Sequence, residues 1–261
     1  MNSSPETIHV MYRMTVIMTV YIGTSGWSYD HWDGILYPGG LPPKERLSVY
    51  LPRYNTVEVN STFYRWPGDR RFAHWETQLP SGFLMTVKAP RGLTHAKRLY
   101  SPERWLQTVY EGMNCLKGNR GVLLVQLPPA FAYDYARLAY FLECVPTDLR
   151  VAMEFRHPSW HREEVFALLE QRSTAYCIMS GAQLPCLLQA TTDFVYVRLH
   201  GPDHHSLYAG SYSDADLRWW TERIQEWRST GKEVFAYFNN DGGGHAVRNA
   251  DTLRWMLGLG N

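Results

Sequence analysis

The chain has 261 residues, 45% of them hydrophobic, a formal net charge of +1 and four cysteines. That content suffices for one large core, and the near-neutral balance removes any bulk electrostatic pull toward nucleic acid or an anionic membrane. No window approaches the roughly 20 apolar residues of a membrane span. Cys115, Cys144, Cys177 and Cys186 lack paired metal-ligand spacing, which argues against a disulfide scaffold or a zinc ribbon and fits a reducing, cytoplasmic setting.

Residues 1–19 contain Met1, Met11, Met14 and Met18, and their apolar pieces are broken by His9 and Arg13. They read as a loose extension rather than a secretory signal, with Met14 or Met18 as alternative starts. From residue 20 to 261 a single domain is expected. Short strand-like runs there alternate with helical patterns, as in a parallel sheet covered by helices. The strands predicted are Val20 to Thr24, Thr56 to Val59, Phe83 to Lys88, Val122 to Gln126, Val151 to Phe155, Ala175 to Met179, Phe194 to Leu199 and Val234 to Phe238. Helices are predicted over Lys44 to Tyr54, Asp69 to Gln78, Pro102 to Lys117, Tyr133 to Cys144, Glu163 to Gln171, Ser213 to Arg228 and Ala246 to Leu257. Ser213 precedes Asp214 and Asp216 in the manner of an N-cap with acidic first-turn residues. The sixth connection, Gly181 to Ala190, holds Pro185 and reads as no more than a short turn. Eight evenly spaced strands without an early GxGxxG fingerprint favour an α/β fold of the closed (β/α)8 TIM-barrel kind over an open doubly wound sheet.

In such a barrel the site lies at the C-terminal ends of the strands, and these ends are polar. Strand two gives Glu58, Asn60 and Tyr64; strand three Lys88; strand four Gln126; strand five Glu154, Arg156 and His157; strand seven Arg198, His200 and Gly201; strand eight Asn239 and Asn240. Side chains alternate along a strand, so Glu58 with Asn60, Glu154 with Arg156, and Arg198 with His200 are same-face pairs that can all point into the mouth. Burying that much charge without function is costly, which favours a ligand site over a polar plug. Trp27, Tyr29, Trp32, Phe63, Tyr64, Trp66 and Trp160 follow strand ends and are candidates for a pocket wall, although each alone fits a core position equally well.

The runs GTSGWSYDHWDGILYP, VEVNSTFYRWP, LVQLPPAF, AMEFRHPSW, VRLHG and FAYFNN, in this order from about Tyr21 onward, resemble the YecE-like family, the domain of unknown function numbered 72. The resemblance implies a TIM barrel and leaves the chemistry open. It marks Gly26, Trp27, Glu58, Asn60, Lys88, Gln126, Glu154, Arg156, His157, His200, Gly201, Asn239 and Asn240 as pocket residues. The triple glycine Gly242 to Gly244 departs from the bulkier loop of that family.

Two carboxylates, Glu58 and Glu154, with His157 and His200, are the candidates for acid and base work. Lys88, Arg156 and Arg198 are suited to an anion, phosphate or carboxylate. Gly201 and the Gly242 to Gly244 run, with the helix that follows, are expected to offer backbone amides to a phosphate. Trp27, Asn60, Tyr64, Gln126, Asn239 and Asn240 complete the expected substrate contacts. No cofactor is required; a divalent metal held by Glu58, Glu154 and a histidine is the less favoured option, because the arginines can neutralise the carboxylates directly. His157 and His161 lack an HExxH context, and His204 with His205 read as loop surface. The leading expectation is an enzyme, of hydrolase, lyase or isomerase type, acting on a small anionic molecule. A non-catalytic binding barrel and a nucleic-acid-binding protein stay open beside it, as does the oligomeric state.

Overall fold

The computed structural model describes residues 19–203 and 205–260; of the expected extension over residues 1–19, residues 1–18 lie outside the described residues, as does His204. Eight strands form in chain order: β1 (Val20–Thr24), β2 (Thr56–Val59), β3 (Leu84–Lys88), β4 (Arg120–Leu127), β5 (Val151–Phe155), β6 (Ala175–Ser180), β7 (Phe194–Leu199) and β8 (Glu233–Phe238). All pair in parallel in the order β1-β8-β7-β6-β5-β4-β3-β2. The sheet curls into a nearly closed barrel whose seam lies between β1 and β2.

Along the seam, side chains replace most of the ladder. Asn55 accepts from Ile22 N at 3.2 Å and donates to Val20 O at 2.8 Å, while the Tyr50 hydroxyl accepts from Thr24 N at 3.0 Å and donates to Thr56 O at 3.1 Å. Backbone pairing resumes at the top, where Gly26 N donates to Glu58 O at 2.7 Å. Gly23 permits the approach: a Cβ there would lie 2.3 Å from Thr56 O.

Strand alternation sorts the core into two shells. Outward residues such as Val57, Val87, Val125, Met153, Ile178 and Val197 pack against the helices. Inward residues Tyr21, Leu124, Ala152, Cys177, Tyr196, Phe235 and Tyr237 fill the barrel, and the polar strand-end residues Glu58, Glu154 and Arg198 follow the same inward parity on top of them.

The helices are α1 (Arg46–Tyr50), α2 (Ser61–Tyr64), α3 (Asp69–Glu76), α4 (Glu103–Asn114), α5 (Tyr135–Cys144), α6 (Glu163–Gln171), α7 (Asp214–Ser229) and α8 (His245–Met256). The predicted helix over Lys44 to Tyr54 is a 3-10 turn, Pro43–Glu45, followed by the short α1. Between β6 and β7 no helix forms among the described residues, as Pro185 suggested. Ser213 and Asp216 make a reciprocal capping box at the start of α7. No helix among the described residues is long and apolar enough to cross a membrane.

Candidate functional site

Arg198, on β7, is 1% exposed and sits at the centre of the barrel mouth. Its guanidinium grips Glu58 of β2 with two bonds, Nε to Oε2 at 3.0 Å and Nη2 to Oε1 at 2.7 Å, and reaches Glu154 of β5 through Nη1 to Oε2 at 2.6 Å. Glu58 also accepts from the Ser25 hydroxyl and the Tyr196 hydroxyl, each at 2.6 Å. Glu154 also accepts from Gln126 Nε2 at 2.8 Å and from Arg156 Nε. Every carboxylate oxygen therefore has two donors or a charged one, as buried charge requires. Burial by itself would raise the Glu154 pKa; Arg156, Arg198, His200 and Lys88 outweigh it and hold the carboxyl well below its ordinary range.

His200 is buried between Arg156 Nη2, 3.2 Å from its Nε2, and the Asn239 amide, 3.2 Å from its Nδ1. A guanidinium only donates, so Nε2 accepts from Arg156; the atom facing Nδ1 is Asn239 Nδ2. Burial and the neighbouring Arg198 push the His200 pKa well below the usual histidine value. At neutral pH it is an uncharged spacer that orients Arg156.

Lys88 differs from the other charges. Its backbone is fixed at the end of β3, where its carbonyl accepts from Thr62 Oγ1 at 2.7 Å. Its ammonium lies over the Phe63 ring, 4.5 Å from the centroid, and makes no ion pair or side-chain hydrogen bond among the described residues. Burial first, then repulsion from Arg198, push its pKa down to about 8, with Glu154 and Glu58 pulling the other way. Three cations, Lys88, Arg156 and Arg198, thus face two carboxylates, and the mouth holds one unneutralised positive charge. Arg156 Nη1 also has no partner among the described residues.

Other expected residues sit around this cluster or away from it. Asn60 Oδ1 is buried without a hydrogen-bond partner among the described residues. Asn60 also lines a cavity of about 310 Å³ over the ends of β1 and β2, with Gly26, Trp27, Tyr29, Val59 and Tyr64. Trp27 packs edge-on against Trp75, and Tyr64 is 79% exposed on the rim. A larger, mostly apolar cavity of about 490 Å³ lies beyond β3, between Trp66, Tyr100 and Trp105; Lys88, Arg156, Arg198, Glu58 and Glu154 line neither cavity, so the candidate site is marked by its converging charges rather than by a cavity.

His157 is not brought into the cluster. Its Nδ1 accepts from Ser159 N at 3.2 Å and lies 2.7 Å from Ser159 Oγ, capping the turn Pro158–Trp160, because it has the opposite parity to Glu154 and Arg156. Asn240 is buried but ties loops together, donating to Gly210 O and to Asn249 Oδ1 at 2.9 Å each. Gly201 does not offer an open amide: its N–H donates to the Tyr212 hydroxyl at 3.1 Å. In the glycine turn after β8 two of the amides are spent within the turn. Gly244 N donates to Asp241 O and Ala246 N to Asn240 O, both at 3.0 Å. The Asp241 carboxylate stands beside the turn, 3.6 Å from His31 Nε2. Among the rim aromatics, Trp32 and Trp160 are fully buried core, whereas Phe63 faces Lys88.

Sequence reasoning passed over Tyr196, His95 and Tyr208. Tyr196 was legible, since it lies two residues before Arg198 on the same strand face. His95 follows β3 in a π-helical turn, Gly92–Ala96, stacks edge-on against Phe63 and lies near Lys88; Tyr208 packs edge-on against His200. Neither carries a periodic signal. Among the described residues, no three His, Cys, Asp or Glu side chains are grouped to hold a metal ion.

Comparison with known proteins agrees with this architecture. The chain is 27% identical to the UPF0759 protein YunF of Bacillus subtilis, across 92% of this chain and 95% of that protein. It is 27% identical to the UPF0759 protein YecE of Escherichia coli over 54% of this chain and 50% of that protein. A DUF72 family protein of Thermotoga maritima superposes with a TM-score of 0.83 at 30% identity, covering 92% of this chain and 99% of that one. One from Enterococcus faecalis, at 22% identity, shares the fold with a TM-score of 0.80 over 93% and 97%. Residues 21–261 match the family described as "Protein of unknown function DUF72", and the chain belongs to that family.

Proposed function

We propose that the barrel mouth binds a small anionic molecule, bearing phosphate or carboxylate, and that the protein is an enzyme acting on it by acid/base chemistry. The observation that supports this reading is the unneutralised charge: among the described residues Lys88 has no anionic partner and Arg156 keeps one nitrogen free. An anion placed between them gains two charge-assisted contacts. Glu58, Glu154, Arg198 and His200 then serve as the buried frame that fixes Arg156 and sets the field at Lys88. The proton-exchanging group this geometry favours is Lys88, whose pKa near 8 lies closest to working pH. Glu154 and His200, saturated by arginine, hold charge and orientation.

The test is calorimetric titration with inorganic phosphate and citrate at low ionic strength. Saturable binding is expected, and Lys88→Met should weaken it by about 2 kcal/mol, roughly thirtyfold in Kd. Equal affinity in the variant would sink the reading. Salt-dependent binding of single-stranded oligonucleotides, without competition from phosphate, would favour the nucleic-acid alternative instead. Binding without turnover of any phosphorylated or carboxylated substrate offered would leave a non-catalytic barrel.

A further inference from the structure

We propose that the ε-amine of Lys88 is a covalent nucleophile, condensing with the carbonyl of a small anionic aldehyde or ketone whose anionic group is seated by Arg156. This rests on the anion-binding reading above and adds to it the chemical class of the substrate.

An amine attacks a carbonyl only when its lone pair is free, it is not clamped by a carboxylate, and the electrophile is held in place. Lys88 meets the structural conditions. Its main chain is pinned on both sides, by Thr62 Oγ1 on its own carbonyl and by the bond from Ala89 N to Leu124 O at 2.8 Å. Its nitrogen rests on the Phe63 face, and among the described residues no carboxylate is bonded to it.

The surrounding elements explain why no carboxylate reaches it. Glu58 from β2 and Glu154 from β5 are both consumed by Arg198 of β7 and, for Glu154, by Arg156. The turn after β3 brings Arg91 and His95 to the same side, and the pKa of His95 is itself lowered by burial and by Lys88. Both carboxylates of the mouth, Glu58 and Glu154, are thus spent on arginines rather than on the amine. With its pKa near 8, about a tenth of it is neutral amine at pH 7, far more than for an ordinary lysine.

In the condensation the nitrogen lone pair adds to the carbonyl carbon, and the carbonyl oxygen becomes the hydroxyl of a carbinolamine, taking a proton from nitrogen. The C–O bond then breaks as C=N forms, and the second nitrogen proton leaves with the departing water. One amine and one carbonyl give one imine and one water. Protonated, the imine carries the same charge as the ammonium it replaces, so the buried frame is undisturbed. It also draws electrons from bonds to the neighbouring carbon, as a lyase or isomerase step requires.

Trapping tests this directly. The full chain is incubated near pH 7.5 with glyceraldehyde 3-phosphate, dihydroxyacetone phosphate or glyoxylate and with cyanoborohydride, which reduces an imine to a stable secondary amine. Peptide mapping then locates the adduct. The chain has four other lysines, Lys44, Lys97, Lys117 and Lys232, as internal controls.

The expected result is modification of Lys88 at least about tenfold faster than of any other lysine, slowed by inorganic phosphate and much weaker with uncharged propanal. Lys88→Arg should abolish this adduct while keeping phosphate binding, since it retains the charge but not the nucleophile. Labelling spread evenly over the five lysines overturns the proposal. So does phosphate binding by the wild type with no adduct on Lys88, and in that case the anion-binding reading survives alone. If phosphate does not bind at all, the anion reading fails, and the proposal falls with it.

Discussion

Arg198 shows how a residue chosen by the sequence for ligand contact becomes part of the frame. Four hydrogen bonds of 3.5 Å or less from its guanidinium go to Glu58, Glu154 and Ser25, which leaves little of it for a ligand. Removing it leaves two fully buried carboxylates without their cation. Arg198→Met should therefore destabilise the fold by about 3–5 kcal/mol, read from urea denaturation, more than it changes any binding constant of the surviving protein. The combination with Glu58→Gln and Glu154→Gln should cost clearly less than the sum of the separate changes, because the three groups form one network. Strict additivity would mean that the cluster is not energetically coupled. Lys88 is the opposite case: little else depends on its charge, and a change there should act on binding before stability.

At the scale of elements, the β1–β2 seam is the place where a small change reaches the whole barrel. Gly23→Ala would push a methyl to 2.3 Å from Thr56 O, so the strands must part, at a cost of about 1–3 kcal/mol. Asn55→Ala loses both bonds to β1 and should cost a similar amount. Chemical denaturation measures both, and wild-type stability in Gly23→Ala would show that the seam is loose. A closed barrel was expected from the strand count, but not that the side chains of Asn55 and Tyr50 would bridge this seam. The strands themselves were legible, because a period of two survives in runs such as Val151 to Phe155 and makes Glu58, Glu154 and Arg198 point the same way. The same rule accounts for His157: its parity is opposite, and its ring caps the turn Pro158–Trp160 by accepting from Ser159 N instead of entering the mouth. The glycines misled for a different reason. Gly201 has φ +98, and a Cβ on it would meet Ala209 O at 2.1 Å; it is there for close packing, and a backbone donor's partner, here the Tyr212 hydroxyl, is set by a distant part of the chain. His95 and Tyr208 reach the site on irregular turns, which leave no periodic trace.

For the molecule as a whole, the buried titratable groups set a dependence of stability on pH. His200 is held neutral by burial and by Arg198, with its pKa well below 6.5. In the unfolded chain it titrates near that ordinary value. Below about pH 6.5 the unfolded state therefore binds a proton that the folded state refuses, and stability falls as pH drops; above it the contribution is complete. His95 and His161, both lowered by burial, act in the same direction. The folded-state pKa of Glu154 is lowered too, so its contribution persists through this range and is lost only under more acidic conditions. Lys88 acts at the other end: its folded value of about 8 lies below the unfolded 10.5, so its share of stability rises as pH climbs from 8. Near pH 10 the buried tyrosines Tyr50 and Tyr237, raised by burial, begin to oppose it, since they ionise more easily when unfolded. His200→Asn isolates one component of this curve. Relative to wild type, the variant should lose about 1 kcal/mol less between pH 6.5 and about pH 5.5, whatever constant offset the substitution adds. Parallel stability curves for the two proteins would mean that His200 takes up its proton without unfolding the mouth, and that Arg156 tolerates a second cation at 3.2 Å.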